Sequence, residues 1–181
     1  MSQKPMQIKK NIPYYLTAIA LFVLMRWGYA LADTDDLTFF LKPISVLIGL
    51  LTGEHAAYIP NEGYFFQNLN IIIGKSCSGV HFWCLSFLVF TYLTLKYFDK
   101  HLHKILMFPT ALTCTYLLTI FANTSRIFVS IIIRNQTLPI FPEKQYLIHE
   151  TVGIIIKLSY LILAYYLIEK FLKHRNHAKR T

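Results

Sequence analysis

Four long apolar runs set the terms for this chain. They cover Ile12 to Ala32, Val80 to Phe98, Ile105 to about Ile133, and Leu147 to Ile168. A helix needs about 20 predominantly apolar residues to cross the roughly 30 Å hydrocarbon core of a bilayer, where nothing satisfies an open strand edge. Each run therefore predicts a transmembrane helix. A fifth run, Leu37 to Leu51, contains Lys42 and Pro43. At about 15 residues it fits an interfacial or partly buried helix better than a span. The expected fold class is an all-α integral membrane helical bundle of about four to five transmembrane helices, forming a single polytopic domain over residues 1–181.

Only 15% of the residues are charged and 55% are hydrophobic, against roughly 25% charged in a soluble domain. The net charge of +9 would suit nucleic acid if the basic residues shared one face. They do not. Lys4, Lys9 and Lys10 precede the first run, and Lys96, Lys100 and Lys104 flank the turn between the second and third. Lys170, Lys173, Arg175, Lys179 and Arg180 follow the last. Asp33, Asp35 and Asp36 lie at the opposite end of the first run. Positive charge at alternate ends of successive spans is the positive-inside pattern. The basic residues thus read as orientation signals and contacts to membrane lipids, with no nucleic-acid partner. Both termini and the turn near Asp99–Lys104 are expected in the cytoplasm, with residues 33–79 and the loop 134–146 outside. The first run also fits a signal peptide, because Lys9-Lys10, a short apolar stretch and Ala30-Leu31-Ala32 have the layout of a cleavage site. Cleavage there would leave the other three spans in place.

This topology gathers residues that are distant in the chain. Cys77 stands just outside the second span, and His149 opens the fourth at the same face. Arg126 lies about 21 residues into the third span, roughly 30 Å from its inner end at 1.5 Å per residue. A thiol, a permanent cation and an imidazole at one face are the parts of a cysteine acyl-transfer site. Cys77 sits in Gly74-Lys75-Ser76-Cys77-Ser78-Gly79, a small-residue connection into a helix. A helix N-terminus favours a thiolate, and Lys75 would add to that effect. Ser78 and Gly79 leave room for a substrate backbone and have N–H groups to offer an oxyanion. Asn123 precedes Arg126 by three residues, so both project from one helix face as a polar patch. Arginine in an apolar span marks a functional candidate, able to hold an oxyanion but not to act as a base. His149 suits a general base, and Gly153 stands where the second histidine of a zinc-protease motif would be. His81, one turn beyond Cys77, is a rival base or substrate contact. Lys157, eight residues inward of His149, requires a polar neighbour or a wet cavity. The plainer alternatives are an inert membrane cysteine, an arginine snorkelling to headgroups and an interfacial histidine. Arg26 beside Trp27 has the look of such an anchor.

Residues 54–76 differ from their surroundings. Tyr58, Tyr64, Phe65, Phe66 and Ile71–Ile73 favour strands, and Pro60-Asn61-Glu62-Gly63 is a turn signal. A small extracytoplasmic β-hairpin would then run straight into Cys77. Its edge suits strand addition by an extended peptide, with Tyr64 as a substrate contact. An aromatic belt without a ligand role explains the same residues. Cys84 and Cys114 fall inside spans, so no disulfide framework is expected. No cofactor motif is present and no metal site is expected.

Cys77-Ser78-Gly79 before a span, Asn123-x-x-Arg126-Ile127 late in the next and His149 opening the last resemble the exosortase/archaeosortase family. The likeness covers about Gly74 to Gly153, and the short chain fits a compact subtype such as exosortase K. His81 departs from the pattern, since many members have arginine there. The resemblance implies a membrane-embedded cysteine protease or transpeptidase in a bacterial inner membrane, with its active site facing outward. Cys77 would be the nucleophile, His149 the general acid/base and Arg126 the transition-state stabiliser. The implied partners are exported proteins whose C-terminal tail holds a short motif, an apolar helix and a basic cluster. Other classes stay open at this point. A thiol oxidoreductase would need a second accessible cysteine near Cys77, and Cys84 is two turns deeper. A metal transporter would use Cys77, His81 and His149 as ligands. A non-catalytic assembly factor or transporter would tolerate loss of Cys77 while needing the polar cavity.

Overall fold

A computed structural model describes the backbone of residues 5–98, 101–137 and 145–177, and the side chains of 11–98, 101–134 and 150–174. The element order is α1 (Pro5–Leu31), a short 3₁₀ turn (Asp35–Leu37), α2 (Thr38–Thr52), three strands β1 (Ala56–Ile59), β2 (Gly63–Phe66) and β3 (Ile71–Ile73), a second 3₁₀ turn (Lys75–Cys77), α3 (Val80–Tyr97), α4 (His101–Thr137) and α5 (Gln145–His177). Among the described residues, four helical stretches are long and apolar enough to cross a membrane: Asn11–Leu31, Lys75–Tyr97, His101–Arg134 and Glu150–His174. The expected helical architecture is therefore present, and the strands are a small addition to it. The fifth run forms α2, which at 15 residues is shorter than those four.

The chain divides into two compact units. One comprises Met1–Ala30, His81–Tyr116 and Leu161–Thr181, and the other Leu31–Val80 and Leu117–Tyr160. In the first unit α1 and α3 run antiparallel. Asn11 near one end donates to the Leu95 carbonyl at 3.2 Å, and Tyr29 near the other meets the His81 ring edge-on at 4.7 Å. α3 also runs antiparallel to the start of α4, where the Trp83 indole donates to the Leu112 carbonyl at 3.1 Å and Phe87 packs on Phe108. α3 is the buried helix here. Within this protein 61% of its apolar stretch is buried, against 6% for α1, whose Leu16, Val23, Leu24 and Trp27 point outward as lipid-facing side chains do.

Several basic residues of this unit lie together at one end. Buried Lys104 donates to Asn11 Oδ1 at 2.6 Å and lies over the Tyr14 ring, while Tyr14 hydrogen-bonds His101. Glu169 accepts from Tyr97 at 3.0 Å and pairs with Lys173 and Lys96. These contacts gather the start of α1, the end of α3, the start of α4 and the end of α5. Lys4, Lys100, Lys179, Arg180, most of the loop 134–146 and the side chains of Lys9, Lys10, His149 and Arg175 lie outside the described residues.

In the second unit the three strands form an antiparallel sheet in the order β1-β2-β3. Tyr58 pairs with Tyr64 and Tyr64 with Ile73. Alternation puts Phe66 and Ile73 on one face, where both are buried, and leaves Ile72 on the other at 47% exposure. β1 and β2 pack on α2, whose Phe40, Leu41, Ile44 and Ile48 are buried. The expected hairpin is thus a three-stranded sheet, because Leu69 and Asn70 turn the chain back once more after β2.

Asp35 ties this sheet to the preceding turn. Its Oδ1 accepts from the Tyr58 hydroxyl at 2.6 Å and from the Asn61 backbone N–H at 2.8 Å. Those bonds, Tyr58 first, hold the Asp35 carboxyl below its ordinary value and push the Tyr58 hydroxyl up. The sign follows from the lowered folded value. The contribution of Asp35 is complete above its unfolded pKa of about 3.9 and is lost as pH falls through the folded value beneath it. Asp35→Asn is expected to raise hydrogen exchange at the Asn61 amide when variant and parent are compared at the same near-neutral pH, because the charged acceptor of that amide is lost. Unchanged exchange in the variant would show that the turn is held by other contacts.

Candidate functional site

Cys77 closes the 3₁₀ turn that follows β3. Its backbone N–H donates to the Gly74 carbonyl at 2.8 Å, and the Ser78 N–H to the Lys75 carbonyl at 3.1 Å. Gly79 then takes φ +72° before α3 begins at Val80. The thiol therefore lies near the N-terminus of α3, three residues before it, with a left-handed glycine between. One sequence expectation changes here. The Ser78 N–H is not free for an oxyanion, because it closes the turn. Lys75 aims its ammonium at the Ala32 carbonyl, 2.6 Å away, so it anchors the turn.

Arg126 meets the thiol. Its Nη2 donates to Cys77 Sγ at 3.6 Å, and the Ser76 hydroxyl lies 3.9 Å from the same sulfur. A guanidinium fork so placed has donors to offer an oxyanion formed beside the sulfur. Cys77 is half-buried, open enough to receive a ligand. Gly153 of α5 lets Arg126 lie where it does, since a β-carbon there would stand 3.0 Å from Arg126 Cδ. Lys157, one turn beyond Gly153, is half-buried and within electrostatic range of both Arg126 and Cys77. Tyr160, three residues further, shares a 2.8 Å hydrogen bond with Ser125. Residues 153, 157 and 160 therefore form the face that α5 turns to α4.

Asn123 sits where a β-carbon on Gly79 would be, 1.6 Å from that position through Nδ2. It is fully buried, and neither polar atom of its amide has a partner among the described residues. The same holds for Ser78 Oγ, Ser130 Oγ and Arg126 Nε. An unpaired buried polar group costs about 1–3 kcal/mol. Such a cluster is characteristic of a place where water or a ligand supplies the missing bonds.

Cys77, Ser78, Gly79, Asn123 and Arg126 thus come together in one unit. Position 149 is helical, about one turn before Gly153. His81 belongs to the other unit, where its Nδ1 is hydrogen-bonded by Arg26 and Tyr29 packs against its ring. Arg26, expected as a membrane anchor, also hydrogen-bonds His81. Tyr64 stacks near Tyr58 and lines a cleft of about 520 Å³ between α2 and the sheet, with Lys42, Val46, Leu50 and His55. All three cysteines are free thiols, with Cys84 buried and Cys114 exposed. Among the described residues no three His, Cys, Asp or Glu side chains are grouped as a metal site requires. Sequence reasoning missed Arg134, whose Nη2 and Nη1 donate to the Leu69 and Asn70 carbonyls at 3.0 and 3.3 Å. An arginine closing an apolar span carries no signal that distinguishes it from a headgroup anchor.

No protein-family model matches the chain, and neither a curated protein nor a solved structure matches it.

Proposed function

We propose that this protein is a membrane-embedded cysteine protease or transpeptidase of the exosortase type, acting on the C-terminal sorting signal of exported proteins. The observation that carries this reading is the contact between Arg126 Nη2 and Cys77 Sγ at 3.6 Å, in a half-buried site bordered by unpaired polar groups. In the proposed reaction the Cys77 thiol gives its proton to His149, and the sulfur attacks the scissile carbonyl carbon. Arg126 holds the resulting oxyanion. His149 returns the proton to the leaving amine as the C–N bond breaks, leaving a thioester on Cys77. Water or an acceptor amine then attacks the thioester, and the thiol regains its proton. The membrane is a bacterial inner membrane in this reading, with the basic ends of the helices in the cytoplasm and Cys77 on the outer side. A substrate that is itself a membrane helix with a basic tail would lie beside the site in the orientation the site requires.

The test is co-expression with an exported protein bearing a motif, an apolar helix and a basic cluster at its C-terminus. Intact mass and gel mobility should show a tail-free product with the parent enzyme and none with Cys77→Ser. The product mass separates hydrolysis from transfer to an acceptor. Equal processing by Cys77→Ser would sink the cysteine mechanism. The buried polar groups would then favour a non-catalytic assembly factor or transporter.

A further inference from the structure

One face of α4 holds the whole segment that delivers Cys77. Positions 123, 126, 130 and 134 recur on that face at helical spacing. Arg134 grips the turn before β3 through two backbone carbonyls, Arg126 touches Cys77, and Asn123 packs on Gly79. Residues 69–79 are therefore laid antiparallel along 123–134. Eight helical residues, about 12 Å, separate the two arginines. Charged donors on carbonyls are the stronger class of hydrogen bond, and a planar fork serving two acceptors also fixes direction. Lys75 secures the other flank of the same segment at Ala32.

We infer that Arg134 is a positioning residue for Cys77: by fixing the 69–70 turn to α4 it sets the thiol against Arg126. The inference rests on reading Cys77 as the nucleophile. Arg134 touches no reacting atom and acts through the strand it anchors. Its loss frees the start of β3 and lets Cys77 drift from the guanidinium, with the helices unchanged.

The experiment is a double-mutant cycle on the full chain in membranes, read by peptide-level mass spectrometry of iodoacetamide attachment at Cys77. Arg126→Ala is expected to change the attachment rate about tenfold in the parent protein, the size of one charge-assisted hydrogen bond. In an Arg134→Ala background the same substitution should change it less than about twofold, because the contact is already lost. Arg134→Lys, which keeps the charge but not the planar fork that fixes direction, should restore part of the Arg126 effect and covers the case in which the alanine variant does not fold. Equal effects of Arg126→Ala in the parent and in both Arg134 backgrounds would overturn the inference. The cycle needs no peptide substrate, so it can succeed where the processing assay fails. Processing lost in Cys77→Ser with an additive cycle would retain the enzyme and reject the role of Arg134.

Discussion

Arg126→Ala is expected to reduce processing by about 10²–10³-fold, the range for removal of one donor to a developing oxyanion. Two things are lost together. The sulfur loses the donor 3.6 Å away, and Gly153 loses the aliphatic stem packed against it. Arg126→Lys keeps the charge but not the fork and should recover less than about tenfold of the loss. The comparison separates a reacting role from an anchoring one. If Arg126 merely snorkelled to lipid headgroups, lysine would serve as well, and alanine would disturb insertion and expression rather than turnover. Rates at saturating and limiting substrate, normalised to the amount of inserted protein, decide between them. A lysine variant as active as the parent would remove Arg126 from the chemistry.

Gly79→Ala is expected to be the most damaging single methyl addition near the site. A left-handed backbone costs a non-glycine residue about 1–2 kcal/mol, and overpacking costs about 1–3 kcal/mol. Both apply, because φ is +72° and the new carbon would fall 1.6 Å from Asn123 Nδ2. The thermal midpoint in detergent should fall by roughly 5–15 °C, taking about 2–4 °C per kcal/mol for a chain of this size. Adding Asn123→Ala removes the collision but not the backbone strain, so about half of the loss should return. A midpoint unchanged by Gly79→Ala would mean that the turn before α3 is not fixed as described.

The helices were legible because apolar length is a strong signal where backbone groups must pair internally. α3 begins at Val80, where the second run begins, and α2 spans 38–52 against an expected 37–51. α4 begins four residues before its apolar run, because Tyr14 and Asn11 bind His101 and Lys104 and keep that polar turn helical. Alternation of spans was enough to anticipate that Cys77 and Arg126 share a face. It could not anticipate contacts whose acceptors are backbone carbonyls, as at Leu69, Asn70 and Ala32, since a carbonyl leaves no mark in a sequence. Nor does the sequence mark Gly79 as left-handed, because a glycine between Ser78 and Val80 also reads as room for a substrate. The pairing of Arg26 with His81, 55 residues apart, is likewise unmarked in the sequence.

The reversed alignment of residues 69–79 on α4 makes the two segments a matched pair of lengths. One residue deleted from β3 would exchange the faces its side chains occupy and shorten the path to Cys77 by about 3.3 Å. One residue inserted between Arg126 and Arg134 would rotate one arginine about 100° away from the other. Variation in length should therefore be tolerated poorly in both segments, and better where the chain is free of such pairing. Any redesign that lengthens one of them would have to lengthen the other in step.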